Sequence, residues 1–174
     1  TGKAALNFNG PTLHAMLGWS FDSAYAQTMS AKKIAEFQAF YQDTEVFVVD
    51  EVNAMSADQL ARLDETLCTI FKQTSARKAQ PFGNKKMIFM GDPAQLTPVI
   101  GEAIYEDGNR GELKAWKAVS SPGGVLQNRY HRSARGQELY RKYIAPTCIF
   151  LQRGQRNGGL LEQICDRLRR GARS

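Results

Sequence analysis

Val46-Phe47-Val48-Val49-Asp50-Glu51 is the stretch that decides the fold. A continuous β-branched and aromatic run with no polar alternation reads as a parallel strand covered on both faces, and its two acids fall at the strand's carboxyl end. Downstream, Ser56 with Gln59 has the spacing of a capping box, and Leu60, Leu63, Leu67, Ile70 and Phe71 share one stripe, which predicts a helix over 56–72. A polar, basic connection from Thr74 to Asn84, containing Pro81 and Gly83, leads to a second apolar run, Met87-Ile88-Phe89-Met90. That run ends at Gly91-Asp92 and a Pro-punctuated loop through Pro98. Strand, helix and strand, each strand delivering an acid at its carboxyl end, predict an α/β domain with a parallel sheet and its site along that edge.

Upstream, residues 4–8 read as a short helix and Asn9-Gly10-Pro11 as a turn. Thr12 caps a second helix carrying Leu13, Met16, Leu17 and Trp19. Ser30 caps a third, with Ile34, Phe37 and Phe40 or Tyr41 at helical spacing, broken at Gln42-Asp43-Thr44. Residues 101–147 are the least regular, with Gly101, Gly108, Gly111, Pro122, Gly123 and Gly124 separating short apolar pieces, and a short helix is expected over Glu138–Tyr143. Cys148-Ile149-Phe150-Leu151 reads as a third strand. A helix with Leu160, Leu161, Ile164 and Leu168 follows, ended by Gly171.

The 174 residues are 43% apolar and 23% charged, the composition of one soluble globular domain. Twenty-three Lys and Arg against 17 Asp and Glu give +6, which suits an acidic partner such as a nucleic-acid backbone. Cys68, Cys148 and Cys165 are odd in number and widely spaced, against both a disulfide framework and a zinc site; a reducing, intracellular compartment is expected. No apolar run reaches the ~20 residues that span a bilayer. The sequence enters structured-looking residues at Thr1 with no leader, so a truncation is expected.

Four apolar strand residues followed by Asp50-Glu51 form the Walker B pattern, in which adjacent carboxylates have different tasks. Asp50 would hold Mg²⁺ through its water shell and Glu51 would orient and deprotonate the water that attacks a γ-phosphate. The alternative is a strand that happens to end in two acids. Gln95, in Gly91-Asp92-Pro93-Ala94-Gln95-Leu96-Thr97-Pro98-Val99, sits where a neighbouring parallel strand would end and could donate to a γ-phosphate oxygen or position water. A Pro-stiffened turn with Asp92 capping its own backbone is the competing reading.

Thr1-Gly2-Lys3-Ala4-Ala5 with Asn7, Gly10 and Thr12-Leu13-His14, then Val48-Val49-Asp50-Glu51-Val52, then Gly91 to Val99, occur in an order and spacing that resembles the PIF-type (petite integration frequency) DNA helicases. These are superfamily-one enzymes, related to RecD-like and Helitron helicases, that move 5′ to 3′ on single-stranded DNA. The resemblance implies a RecA-like, P-loop NTPase first lobe over 1–174, lacking its P-loop strand, with 101–147 an inserted or irregular segment. It implies Mg²⁺ and ATP as cofactors in the complete protein, single-stranded DNA as partner, and an intracellular, nuclear setting. By the same resemblance Thr1, Gly2, Lys3, Thr12 and His14 contact DNA, with Lys3 and the Thr12 hydroxyl suited to phosphate; a core histidine is the alternative for His14. Asp50 becomes the metal and nucleotide ligand and Glu51 the base. Gln95 matches motif III, linking nucleotide to DNA grip.

Arg156, in Gln155-Arg156-Asn157, resembles the arginine finger that reaches the γ-phosphate, with Arg129 a competing match and a solvated surface arginine the alternative for both. Arg156-Asn157 departs from the family's Arg-Gln, and motif III has Pro93 and Thr97 where an aromatic and a proline are common. The sequence holds no Gly-x-x-x-x-Gly-Lys-Ser/Thr loop, so the resemblance places the nucleotide cradle upstream of Thr1 and the second lobe downstream of Ser174. The isolated chain is then expected to be inactive and to self-associate through an exposed sheet edge. A non-catalytic nucleic-acid-binding or interaction module derived from a truncated helicase is the alternative function.

Overall fold

The computed structural model describes residues 10–19, 29–71, 80–92, 95–106, 125–149 and 151, with the side chains of 125–131 excepted. The expected short helix at 4–8 and the helix at 160–168 lie outside them.

At the centre, β1 (Val46–Val49) and β2 (Lys86–Phe89) pair in parallel with Val46 opposite Lys86 and Val49 opposite Phe89. Phe47 and Val49 are buried, and Met87 and Phe89 join them on one face. α3 (Ala57–Ile70) connects the strands and covers that face, burying Leu60, Leu63, Leu67 and Ile70 completely. Its start is the capping box read from the sequence: Ser56 Oγ accepts from Gln59 N and Gln59 Oε1 accepts from Ser56 N.

Two shorter helices pack on this unit. α1 (Leu13–Leu17) is capped by Thr12, whose hydroxyl oxygen accepts from Ala15 N, and it ends at Gly18 in the left-handed region, leaving Trp19 beyond the helix. α2 (Ala31–Phe40) is capped by Ser30. Tyr41 Oη donates to Met16 O while its ring packs edge-on against Phe47, and Gln38 Nε2 donates to Ile70 O, so both helices lean on the β1–α3 core.

Three expectations are corrected. β1 is not covered on both faces: Val48 and its neighbour Ile88 are 58% and 50% exposed, because α3 covers only the Phe47 and Val49 side. The short helix expected over 138–143 is the end of a longer one: α4 runs Val125–Leu139 and continues through a π-helical turn, Tyr140–Ile144, into Ala145–Thr147. It crosses the start of α3 so closely that a Cβ on Gly136 would overlap the Ala57 carbonyl, and Arg135 reaches buried Asp64 at 3.2 Å. Finally, Cys148, Ile149 and Leu151 are in no strand; the 3-10 turn closes with Cys148 N donating to Ala145 O, and Ile149 and Leu151 emerge exposed without a ladder partner.

Between α3 and β2 the chain makes a second turn, Pro81–Asn84, with Phe82, Gly83 and Asn84 all at positive φ. Asp64 Oδ1 accepts from Phe82 N at 2.6 Å, and at Gly83 a Cβ would meet the Leu67 carbonyl, so this turn is locked to α3.

Candidate functional site

The parallel register places the ends of β1 and β2 side by side. Pairing runs one step past the strands: Met90 N donates to Val49 O and Val52 N donates to Met90 O. Asp50, half-buried, therefore lies at the same edge as Gly91 and Asp92. Glu51 takes φ 58°, ψ 40°, a left-handed conformation that costs a non-glycine residue ~1–3 kcal/mol and that gathers at functional turns. There it starts the 3-10 turn Val52–Ala54, its carbonyl accepting from Ala54 N.

The loop carrying Gln95 is held to that turn. Asn53, 3% exposed, accepts from Asp92 N through Oδ1 (3.2 Å) and donates from Nδ2 to Leu96 O (3.1 Å). Gly91 permits the approach, since a Cβ there would come within 2.6 Å of Asn53 Oδ1 and 3.0 Å of Val52. Gln95 itself is exposed and its backbone N–H closes a turn on Asp92 O. The structure thus brings Asp50, Glu51 and the Gln95 loop to one edge. Asn53 carried no motif signal.

The far side of the turn is tied down by residues 102–104. Ala57 N donates to Glu102 O, Ser56 bridges Ala103, and Ala103 and Ile104 are buried. Gln137 of α4 donates to Glu102 Oε2.

Thr12 and His14 belong to a different part of the molecule, where α1 meets α3. Trp19 donates from Nε1 to Thr66 Oγ1 (3.3 Å), the Arg62 guanidinium lies 4.4 Å over its ring, and His14 sits edge-on against it. Burial first, and then the nearby Arg62 charge, hold the His14 pKa below its ordinary value of 6.5. At neutral pH His14 is therefore uncharged, while the Thr12 hydroxyl, already accepting from Ala15 N, keeps its hydrogen to donate. Thr1, Gly2, Lys3 and Arg156 lie outside the described residues, and Arg129 lies on α4.

As for a cation, one carboxylate at a strand end suits Mg²⁺, which takes one or two protein oxygens and completes its shell with water and phosphate. Among the described residues no three His, Cys, Asp or Glu side chains are grouped to hold a metal by themselves. Cys68 and Cys148 are free, and burial is the first cause raising the Cys68 thiol above its ordinary value. Among the described residues no helix is long and apolar enough to cross a membrane.

A model of the PIF1-like helicases matches residues 1–130. The chain belongs to the PIF1-like helicase family. This PIF1-like chain is 24% identical over 144 residues to the ATP-dependent DNA helicase PIF1 of Candida albicans, covering 82% of itself and 15% of that protein. It is 32% identical over 131 residues to the protein of that name from Emericella nidulans, covering 74% and 16%. Against the ATP-dependent DNA helicase PIF1 of Saccharomyces cerevisiae it is 30% identical over 119 residues, covering 67% and 13%. A crystal structure of Bacteroides Pif1 bound to ssDNA is similar to 57% of the chain and 22% of that structure, at 28% identity and a TM-score of 0.46. Another, in complex with ADP-AlF3 and ssDNA, covers 67% and 25%, at 28% identity and a TM-score of 0.46. The PIF1-like chain thus spans 13% to 16% of the length of these three curated relatives. Its β1–α3–β2 unit is the α/β arrangement expected of a RecA-like lobe.

Proposed function

We propose that the chain is part of an ATP-dependent DNA helicase that couples ATP hydrolysis to 5′-to-3′ movement on single-stranded DNA. The observation that carries this reading is the shared carboxyl edge of β1 and β2, where Asp50, the left-handed Glu51 and the Gln95 loop are joined in a parallel βαβ unit. In it Asp50 would hold the Mg²⁺ of a bound nucleotide, Glu51 would take the proton of the attacking water, and Gln95 would donate a hydrogen bond toward the γ-phosphate or that water. When bound, Mg²⁺ would neutralise charge developing on the phosphates. Arg156 adds charge stabilisation at the γ-phosphate. Thr1, Gly2, Lys3, Thr12 and His14 form the DNA-contacting surface, and the +6 charge makes counterion release a main source of affinity.

The 174 residues contain no phosphate-binding loop, so the β- and γ-phosphates must be cradled by other residues of the complete protein. That same absence favours the second reading, a non-catalytic nucleic-acid-binding module. One experiment separates them. The full-length protein carrying this chain is expected to hydrolyse ATP only with single-stranded DNA present, while the 174 residues alone show no hydrolysis and bind DNA with an affinity that falls steeply with salt. A full-length protein without DNA-stimulated hydrolysis supports the module instead; hydrolysis by the 174 residues alone defeats the claim that the cradle lies elsewhere.

A further inference from the structure

We infer that Asn53 is a positioning residue that sets Gln95 against Glu51. This rests on the helicase reading above for its catalytic consequence. Asn53 follows Glu51 by two residues within a single 3-10 turn, so its backbone moves with the left-handed Glu51. Its side chain is buried and spends both halves of the amide on the neighbouring loop, accepting from Asp92 N and donating to Leu96 O. Those two bonds bracket Gln95. The reverse amide orientation would set carbonyl against carbonyl and N–H against N–H, so the network fixes the assignment.

Only a side chain with one donor and one acceptor at this reach satisfies both partners. Aspartate keeps the bond from Asp92 N and opposes the Leu96 carbonyl with a second oxygen; alanine leaves both backbone groups to find other partners. Gly91 belongs to the same device, since any side chain there would press on Asn53 Oδ1. The Gln95 side chain is exposed and has freedom of its own, so what fixes its place is the loop, and Asn53 holds that loop on both sides of Gln95, at Asp92 and at Leu96. A displacement of Glu51 is therefore passed to Gln95, and the reverse, through one amide.

The test uses the full-length protein carrying this chain and the variants Asn53→Asp and Asn53→Ala, each also in a Gln95→Ala background. Hydrogen exchange of the Asp92 amide and the rest of 91–96 should accelerate ~10-fold or more in both variants, while the α3 amides from Leu60 to Ile70 keep their protection. The kcat for DNA-stimulated ATP hydrolysis should fall ~10-fold with the KM for ATP within ~2-fold, and the fall should vanish once Gln95 is alanine. Unchanged exchange at 91–96 overturns the clamp. A uniform loss of protection, or a kcat loss that persists without Gln95, overturns the positioning role in favour of a structural one. A wild-type protein with no DNA-stimulated hydrolysis removes the helicase reading and the catalytic consequence with it, while the exchange result still decides the clamp.

Discussion

The two faces of the β1–β2 pair carry the same kind of side chain and meet different surroundings. Phe47, Val49, Met87 and Phe89 face α3 and the core; Val46, Val48 and Ile88 face outward and are exposed. The difference teaches that this unit is held together from one side, by the apolar stripe of α3 and by α4 crossing its start. It also teaches that polar side chains at the carboxyl edge, Asn53 above all, do what a second layer would do elsewhere, fixing the loops that extend from the strands.

If that contrast is right, substitutions should divide by face. Leu63→Ala, beneath the covered face, should cost ~2–5 kcal/mol in denaturant unfolding, because it removes buried methyl groups and leaves a cavity. Gly136→Ala should follow at ~1–3 kcal/mol or more, since the added Cβ meets the backbone of Ala57 and no rotamer relieves it. Val48→Ala should stay within ~1 kcal/mol, and a cost as large as that of Leu63→Ala would break the comparison by showing that the outward face is covered. The outward face, with strand edges that are unpaired among the described residues, should also make the 174 residues alone self-associate, so a sedimentation coefficient that does not change with concentration counts against an adhesive sheet.

Much of this architecture was legible, for identifiable reasons. Thr12, Ser30 and the Ser56 and Gln59 pair marked helix starts because capping is a local event, settled within four residues. Asp50 and Glu51 were legible because a strand delivers its next residues to a known edge. The open face was not, since an apolar run reports what a strand can bury and says nothing of what lies over it. α4 was misread because its sequence is polar and interrupted by Gly136; its helix depends on docking to α3 and on Arg135 meeting Asp64, 71 residues away. Asn53 was invisible for the same reason, as its meaning is a carbonyl 43 residues further on.

The smallest effect concerns His14, in the α1 contact with α3. Its pKa lies below 6.5 in the folded chain, so folding favours the neutral ring. Stability should therefore be full above about pH 6.5, decline as the unfolded chain takes up a proton that the folded one resists, and level off below the folded pKa. His14→Gln should flatten that part of the profile; an unchanged profile would remove His14 as its source.

The measurement closest to the centre is the turnover of Glu51→Gln in the full-length protein with ATP and single-stranded DNA. If the carboxyl edge of β1 supplies the base for hydrolysis, turnover should fall by ~10²–10⁴-fold while ATP still binds, since the amide keeps the shape of the carboxylate and loses its proton affinity. Turnover equal to that of the parent would contradict the assignment of this edge as the hydrolysis site.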